Sequence, residues 1–239
     1  MCGRFARRST QQVLADWLGV ELGEMPWFAP SYNVAPQSAQ PVVRQNGDSS
    51  SREITLMRWG LVPFWAKDAT HGYSTINARA EEAAAKPAYR EALKQRRCLV
   101  PADAFYEWQR PNPKTGSKAK QPYAIALKSG EPYAMAGLWE RWQPREGVAL
   151  ETFTILTTHP NELMEPIHNR MPVILAARDY SRWLSPGDPA RPPLDLLRPY
   201  PAEEMVAWPV SSRVGNVRNN DPQLLDRSEA FGDLLAQGG

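Results

Sequence analysis

An α+β domain, with a curved, barrel-like antiparallel β core flanked by a few helices, is the fold class this sequence predicts. Three observations carry that reading. Short β-prone runs recur at Cys98–Val100, Phe105–Trp108, Tyr123–Leu127, Tyr133–Trp139, Phe153–Thr157, Pro172–Leu175 and Met205–Val210. Helical patterning is confined to Ser9–Val20 and Ala80–Arg97, with a short third stretch near the C-terminus. No repeat, long linker or composition shift divides the chain, so the strands must share one core.

The elements follow in order. Ser9 with Gln12 resembles a capping box, and Val13, Leu14, Trp17 and Leu18 give the first helix one apolar face. A loop rich in Pro and aromatics runs from Met25 to Gln40. Pro41–Arg44 and Glu53–Trp59 then read as two strands around an Asn46-Gly47-Asp48 turn. Within Ala80–Arg97, Pro87 must kink or split the helix. Arg110–Gln121, with two Pro, one Gly and three Lys, reads as an exposed hairpin loop, and Ser185–Pro193 as a second surface loop. Leu224–Leu235 suits a short helix before a frayed end.

Composition narrows the class. The chain has 239 residues, 42% hydrophobic and 23% charged, as soluble globular domains do. It has no apolar run long enough to span a bilayer, and Arg-Phe-Ala-Arg-Arg-Ser near the N-terminus is no signal peptide. The two cysteines, Cys2 and Cys98, make no disulfide scaffold, and a cytoplasmic, reducing compartment with free thiols fits best. A net charge of +2 announces no nucleic-acid partner by itself. The 21 Arg against 7 Lys suit a phosphodiester ligand, although a GC-rich genome yields the same excess.

The segment Met1-Cys2-Gly3-Arg4-Phe5 is the most informative. Loss of Met1 would give Cys2 an α-amine of pKa about 8 beside a thiol of pKa about 8.5, two nucleophiles on adjacent carbons. Such a pair captures an aldehyde as an imine and then as a thiazolidine, or acts as an N-terminal nucleophile. Glu107, between Tyr106 and Trp108 in a strand-like run, is either a desolvated proton carrier or the solvent face of an alternating strand. His168 precedes Asn169-Arg170 and a strand start, and is a catalyst or a structural hydrogen-bonding residue. Asn77 and Arg79 share a face if the chain is extended there, and otherwise open the helix at Ala80. Trp65, in Pro63-Phe64-Trp65, is a core plug or an exposed stacking wedge. Arg213 and Arg218 flank Gly215-Asn216, a turn whose amides could meet phosphate or simply face water. No His or Cys spacing suits a metal, and no cofactor is implied.

The order of the motifs goes further. Cys-Gly-Arg-Phe, Tyr-Asn-Val-Ala-Pro (32–36), Trp-Gly-Leu-Val-Pro (59–63), Ile-Asn-Ala-Arg-Ala-Glu (76–81), Cys-Leu-Val-Pro-Ala-Asp-Ala-Phe-Tyr-Glu-Trp (98–108), Ile-His-Asn-Arg-Met-Pro-Val (167–173) and Val-Gly-Asn-Val-Arg-Asn (214–219) follow one another. Together they closely resemble the SRAP family, the SOS-response-associated peptidases or abasic-site processing proteins. The resemblance implies a SRAP domain over 1–221 and a tail over 222–239. It also implies a monomer that acts on abasic sites in single-stranded DNA, with no membrane association. Cys2, freed by autocatalytic loss of Met1, would form a reversible thiazolidine cross-link, with weak lyase activity alongside. By the same resemblance Asn77 would hold the N-terminus or sugar, Glu107 would shuttle protons, and His168 would open the sugar and promote reversal. Arg4, Asn33, Arg79, Arg170, Arg213, Asn216 and Arg218 would contact DNA, with Trp65 breaking base stacking. Two departures stand out: Phe64 and Ala66 flank Trp65 where the family carries a Trp pair, and Met171 fills a position that can be basic. An N-terminal-nucleophile amidohydrolase of the glutaminase type, and a noncatalytic single-stranded-DNA-binding module, are the alternatives.

Overall fold

The computed structural model describes residues 2–47, 51–109 and 120–229, which form thirteen strands and four short helices. In chain order these are β1 (Phe5–Arg7), α1 (Gln11–Leu18), β2 (Ser31–Val34), β3 (Ala39–Gln45), β4 (Arg52–Trp59), β5 (Asn77–Arg79), α2 (Ala80–Ala83) and α3 (Arg90–Gln95). They continue with β6 (Arg97–Ala102), β7 (Ala104–Gln109), β8 (Gln121–Leu127), β9 (Tyr133–Trp142), β10 (Leu150–Thr158), β11 (Met171–Pro172), β12 (Ile174–Leu175), α4 (Tyr180–Leu184) and β13 (Met205–Pro209).

Strands β10, β4, β3, β6 and β9 lie side by side, and β9 pairs back onto β10, closing a five-stranded barrel. The second sheet, β13-β8-β7-β1-β2, is antiparallel throughout. The barrel-like core is therefore as expected, with one amendment: β10 runs parallel to β4 and to β5. Closure leaves little room where β9 passes β6 and β10. A side chain on Gly137 would meet the Cys98 sulfur at 2.8 Å, so only glycine fits.

Successive residues of the barrel strands divide between two cores, as a period of two requires. Val43, Leu99, Ala136 and Leu156 pack with Leu14, Leu93 and Trp183 of the helices. Val42, Cys98, Met135 and Ile155 pack instead with Phe5, Phe105 and Ile125 of the second sheet, and Cys2 lies in this second cluster.

Several local expectations are corrected. The cap of α1 is Thr10, whose hydroxyl accepts from Val13 N, because Ser9 is spent on buried Asp103 at 2.6 Å. Val13 is exposed and Ala15 takes its place on the buried face; Gly19 closes the helix at φ 66°. The helical stretch splits around Pro87 into α2 and α3, and Arg97 already begins β6. Strands β1, β2 and β5 were not signalled by propensity, β2 lying inside the supposed Pro-rich loop. Asp48, residues 110–119 of the expected hairpin loop and residues 230–235 of the expected C-terminal helix lie outside the described residues. Residues beyond Asp221 pack as far as Ser228: a 3-10 turn covers Pro222–Leu225, and Trp208 Nε1 donates to Leu225 O at 2.8 Å.

Candidate active site

The amino-terminal residues reach the space between barrel and second sheet because β1 is zipped onto β7. Phe5 pairs with Phe105, and Tyr106 N donates to Arg4 O at 2.9 Å. Along β7, Ala104 and Tyr106 face one cluster with Ala6 and Val214, whereas Phe105 faces the cluster that holds Cys2. Glu107, two residues beyond Phe105, falls on that same face and is only 3% exposed. Burial pushes its carboxyl above the ordinary carboxylate range. Cys2 is fully enclosed; burial first, and the charge of Glu107 second, push its thiol up. Thiol and carboxyl are therefore both buried, and the charge of Glu107 is felt at the sulfur.

Asn77 closes the set. Strand β5 runs parallel to β10 with Asn77 beside Ile155, and Trp59 Nε1 anchors its entry by donating to Ile76 O at 2.8 Å. From there Asn77 Nδ2 donates to the carbonyl of Cys2 at 2.8 Å. The extended reading of Asn77 and Arg79 is thus correct, and the cap of α2 is Arg79. His168 ends the turn that follows β10, where its backbone N–H donates to Met164 O at 2.8 Å. Its neighbours Ile167 and Met171 pack in the Cys2 cluster, and Gln109 Nε2 ties the turn to β7 through Pro166 O at 3.1 Å. His168 Nδ1 lies 3.1 Å from Arg170 N and 3.3 Å from Arg170 O, so the backbone of Arg170 orients the ring.

A family model described as SOS response associated peptidase (SRAP) matches residues 1–217. The chain belongs to the SRAP family. It is 46% identical to abasic site processing protein YoqW of Bacillus subtilis over 231 residues, covering 95% of this chain and 99% of that protein. It is 36% identical to abasic site processing protein HMCES of Xenopus tropicalis, covering 87% of this chain and 69% of that one. A crystal structure of a Bacteroides thetaiotaomicron protein superposes with a TM-score of 0.79 at 26% identity, covering 94% of this chain and all of that one.

Around the SRAP centre, the arginines expected to bind DNA take different positions. Arg4 is half-buried: Nη1 donates to Asn33 Oδ1 at 2.8 Å and Val214 O at 2.9 Å. Asn33 is buried and its Nδ2 donates to the carbonyls of Val214, Asn216 and Asn219. Both side chains thus fix the 212–219 turn against the amino terminus. Asn33→Ala should accordingly cost roughly 2–3 kcal/mol, read as a lower urea midpoint at unchanged slope. Arg170 is held bidentately by Glu81 at 3.0 and 2.9 Å and by Thr157 O at 2.5 Å. Arg213 pairs with Asp221 at 2.8 Å, and Asn216 Oδ1 accepts from Arg218 N at 3.0 Å. Arg79 and Arg218 are exposed, Arg79 pairing with Glu82 at 3.1 Å.

Trp65 is 49% exposed, its ring edge-on to His71 at 5.5 Å, with Phe64 exposed beside it. Trp65 is therefore not a core plug. Glu81, the partner of Arg170, is the neighbour that sequence reasoning passed over. It stood in the Asn-Ala-Arg-Ala-Glu motif, but nothing local shows that it meets Arg170 across 89 residues. Among the described residues no group of three or more His, Cys, Asp or Glu could hold a metal ion, and no helix is long and apolar enough to cross a membrane.

Proposed function

We propose that this chain processes abasic sites in single-stranded DNA by forming a covalent thiazolidine through Cys2 after Met1 is removed. The observation that carries the reading is the hydrogen bond of Asn77 Nδ2 to the Cys2 carbonyl beside a buried thiol and a buried Glu107 carboxyl. The names of relatives at 46% and 36% identity support abasic-site processing in general. Abasic-site aldehyde, not amide, is the electrophile that a 1,2-aminothiol traps durably, since an imine alone hydrolyses.

The chemistry follows from the geometry. With Met1 gone, the α-amine of Cys2 adds to the aldehyde of the ring-opened sugar. Protonated Glu107 gives its proton to the departing hydroxyl, which leaves as water, and an iminium remains. The Cys2 thiol then returns a proton to Glu107 while sulfur bonds to the iminium carbon and the C=N electron pair goes back to nitrogen. The product is a neutral thiazolidine and Glu107 is regenerated. The raised carboxyl suits it to be the acid first and the base second. His168 would open the sugar hemiacetal and assist the reverse reaction. Diversion of the iminium to strand cleavage gives the lyase activity. Glu107 is also the base available for autocatalytic removal of Met1.

Arg79 and Arg218 would meet phosphate directly, and Arg170 by exchanging Glu81 for it. Trp65 would stack on a base at the lesion. Trp65→Ala should weaken noncovalent binding of single-stranded DNA by about ten-fold without lowering the melting temperature, checked by fluorescence anisotropy. The reading as a whole is tested by incubating the purified protein with single-stranded DNA carrying one abasic site. A heat- and SDS-resistant band that intact DNA does not give supports it. Glutamate released from glutamine would favour the amidohydrolase, and a native shift without covalent product a binding module. Monomeric state and an intracellular setting belong to the same proposal.

A further inference from the structure

The two side chains proposed to move protons at the sugar stand on different elements. Glu107 belongs to β7, whereas His168 lies in the turn between β10 and β11. Groups that share one substrate need their elements locked together, because a misplacement of about 1 Å costs up to about 100-fold in rate. The turn is well tied within itself. Asn161 Oδ1 accepts from Met164 N at 3.0 Å, and Met164 O accepts from Ile167 N at 2.9 Å and His168 N at 2.8 Å. On its inner side Met164 and Ile167 enter the cluster that holds Cys2. Such apolar packing holds the turn down without fixing its direction along the strand.

Direction comes from β7 itself. That strand pairs with β8 in unbroken register, from Phe105 opposite Ile125 to Gln109 opposite Gln121, so its side chains alternate strictly. Phe105, Glu107 and Gln109 therefore share one face. From that face Gln109 Nε2 donates to Pro166 O at 3.1 Å, two residues before His168. Pro166 has no N–H, so its carbonyl is the backbone group by which it can be held. Methionine would match the reach of glutamine; what the carboxamide adds is a directional donor. Gln109 is thus a strut between the strand of Glu107 and the turn of His168.

We infer that Gln109 is a positioning residue, which fixes the turn of His168 against β7 so that His168 and Glu107 address the same sugar. The inference rests on the thiazolidine reading above. Gln109 exchanges no proton and touches no reacting atom; it acts through Pro166 on His168. The far side of the ring is set by Arg170, whose backbone N lies 3.1 Å from His168 Nδ1. Losing the strut leaves that contact and the apolar packing in place. The turn then keeps its fold and loses its alignment with β7.

Reversal of the adduct is the step to follow, because it starts from a bound complex and does not depend on how tightly DNA first binds. Purified adduct carrying labelled DNA is incubated with excess unlabelled abasic oligonucleotide, which occupies protein as it is freed. Gln109→Met is expected to slow loss of the labelled adduct by about ten-fold. In a His168→Ala background the same substitution should change nothing further, since its effect passes through the ring. Reversal at the parent rate would overturn the inference. A slowing that persists undiminished without His168 would also overturn it, by assigning Gln109 to packing. Imidazole NMR keeps this failure apart from that of the wider reading, as the chain has three histidines. In Gln109→Met the His168 signals should shift or broaden while those of His71, beside Trp65, stay. If the parent forms no adduct, the thiazolidine reading fails; moved His168 signals then still support the strut, and unmoved ones overturn it.

Discussion

Cys2→Ala is expected to give a folded protein that forms no covalent adduct with abasic single-stranded DNA while still binding it. The sulfur supplies the bond that makes the adduct durable; the amine alone yields an imine that hydrolyses during denaturation. Because the thiol is fully enclosed, its removal costs about 1 kcal/mol of stability through lost packing. Denaturing gels and anisotropy measured on one preparation separate the two consequences. An undiminished heat-resistant band would place the nucleophile elsewhere.

The second large effect belongs to Glu107→Gln, which keeps shape and most polar contacts but cannot exchange a proton. Cross-linking should fall by about 100-fold or more, with noncovalent affinity within a few-fold of the parent. Stability should change in the opposite sense, and with pH. Burial raises the folded carboxyl above its unfolded value, so keeping it charged opposes folding. That cost is absent below the ordinary carboxylate pKa of about 4.3 and is fully present above the raised folded value. The variant and parent should therefore melt together near pH 4, and the variant should melt higher at pH 8. Equal melting curves at both pH values would remove the desolvated carboxyl from the account.

How far the sequence discloses this molecule depends on the range of each interaction. Long β-prone runs such as Tyr133–Trp139 and Phe153–Thr157 became β9 and β10, because burial on both faces leaves a continuous apolar record. The closure of β9 onto β10, and the parallel pairing of β10 with β4 and β5, left no local trace. Three-residue strands such as β1 and β5 exist only because a neighbouring strand supplies their hydrogen bonds. At the site, Asn77 was legible as an extended residue and Glu107 as a carboxylate among aromatics. The work of Arg4 and Asn33 was not. Their partners are carbonyls of the 212–219 turn, up to 211 residues away, and backbone acceptors carry no sequence signature. Ser9 misled for the same reason, since its partner Asp103 lies 94 residues on.

Intact mass spectrometry of the protein before and after exposure to an abasic oligonucleotide tests the central claim most directly. The account predicts a starting mass without the first methionine, then a gain of one oligonucleotide less one water, confined to the peptide that begins at Cys2. A starting mass that retains Met1 in protein active on the oligonucleotide, or an adduct mapped to any other residue, would contradict it.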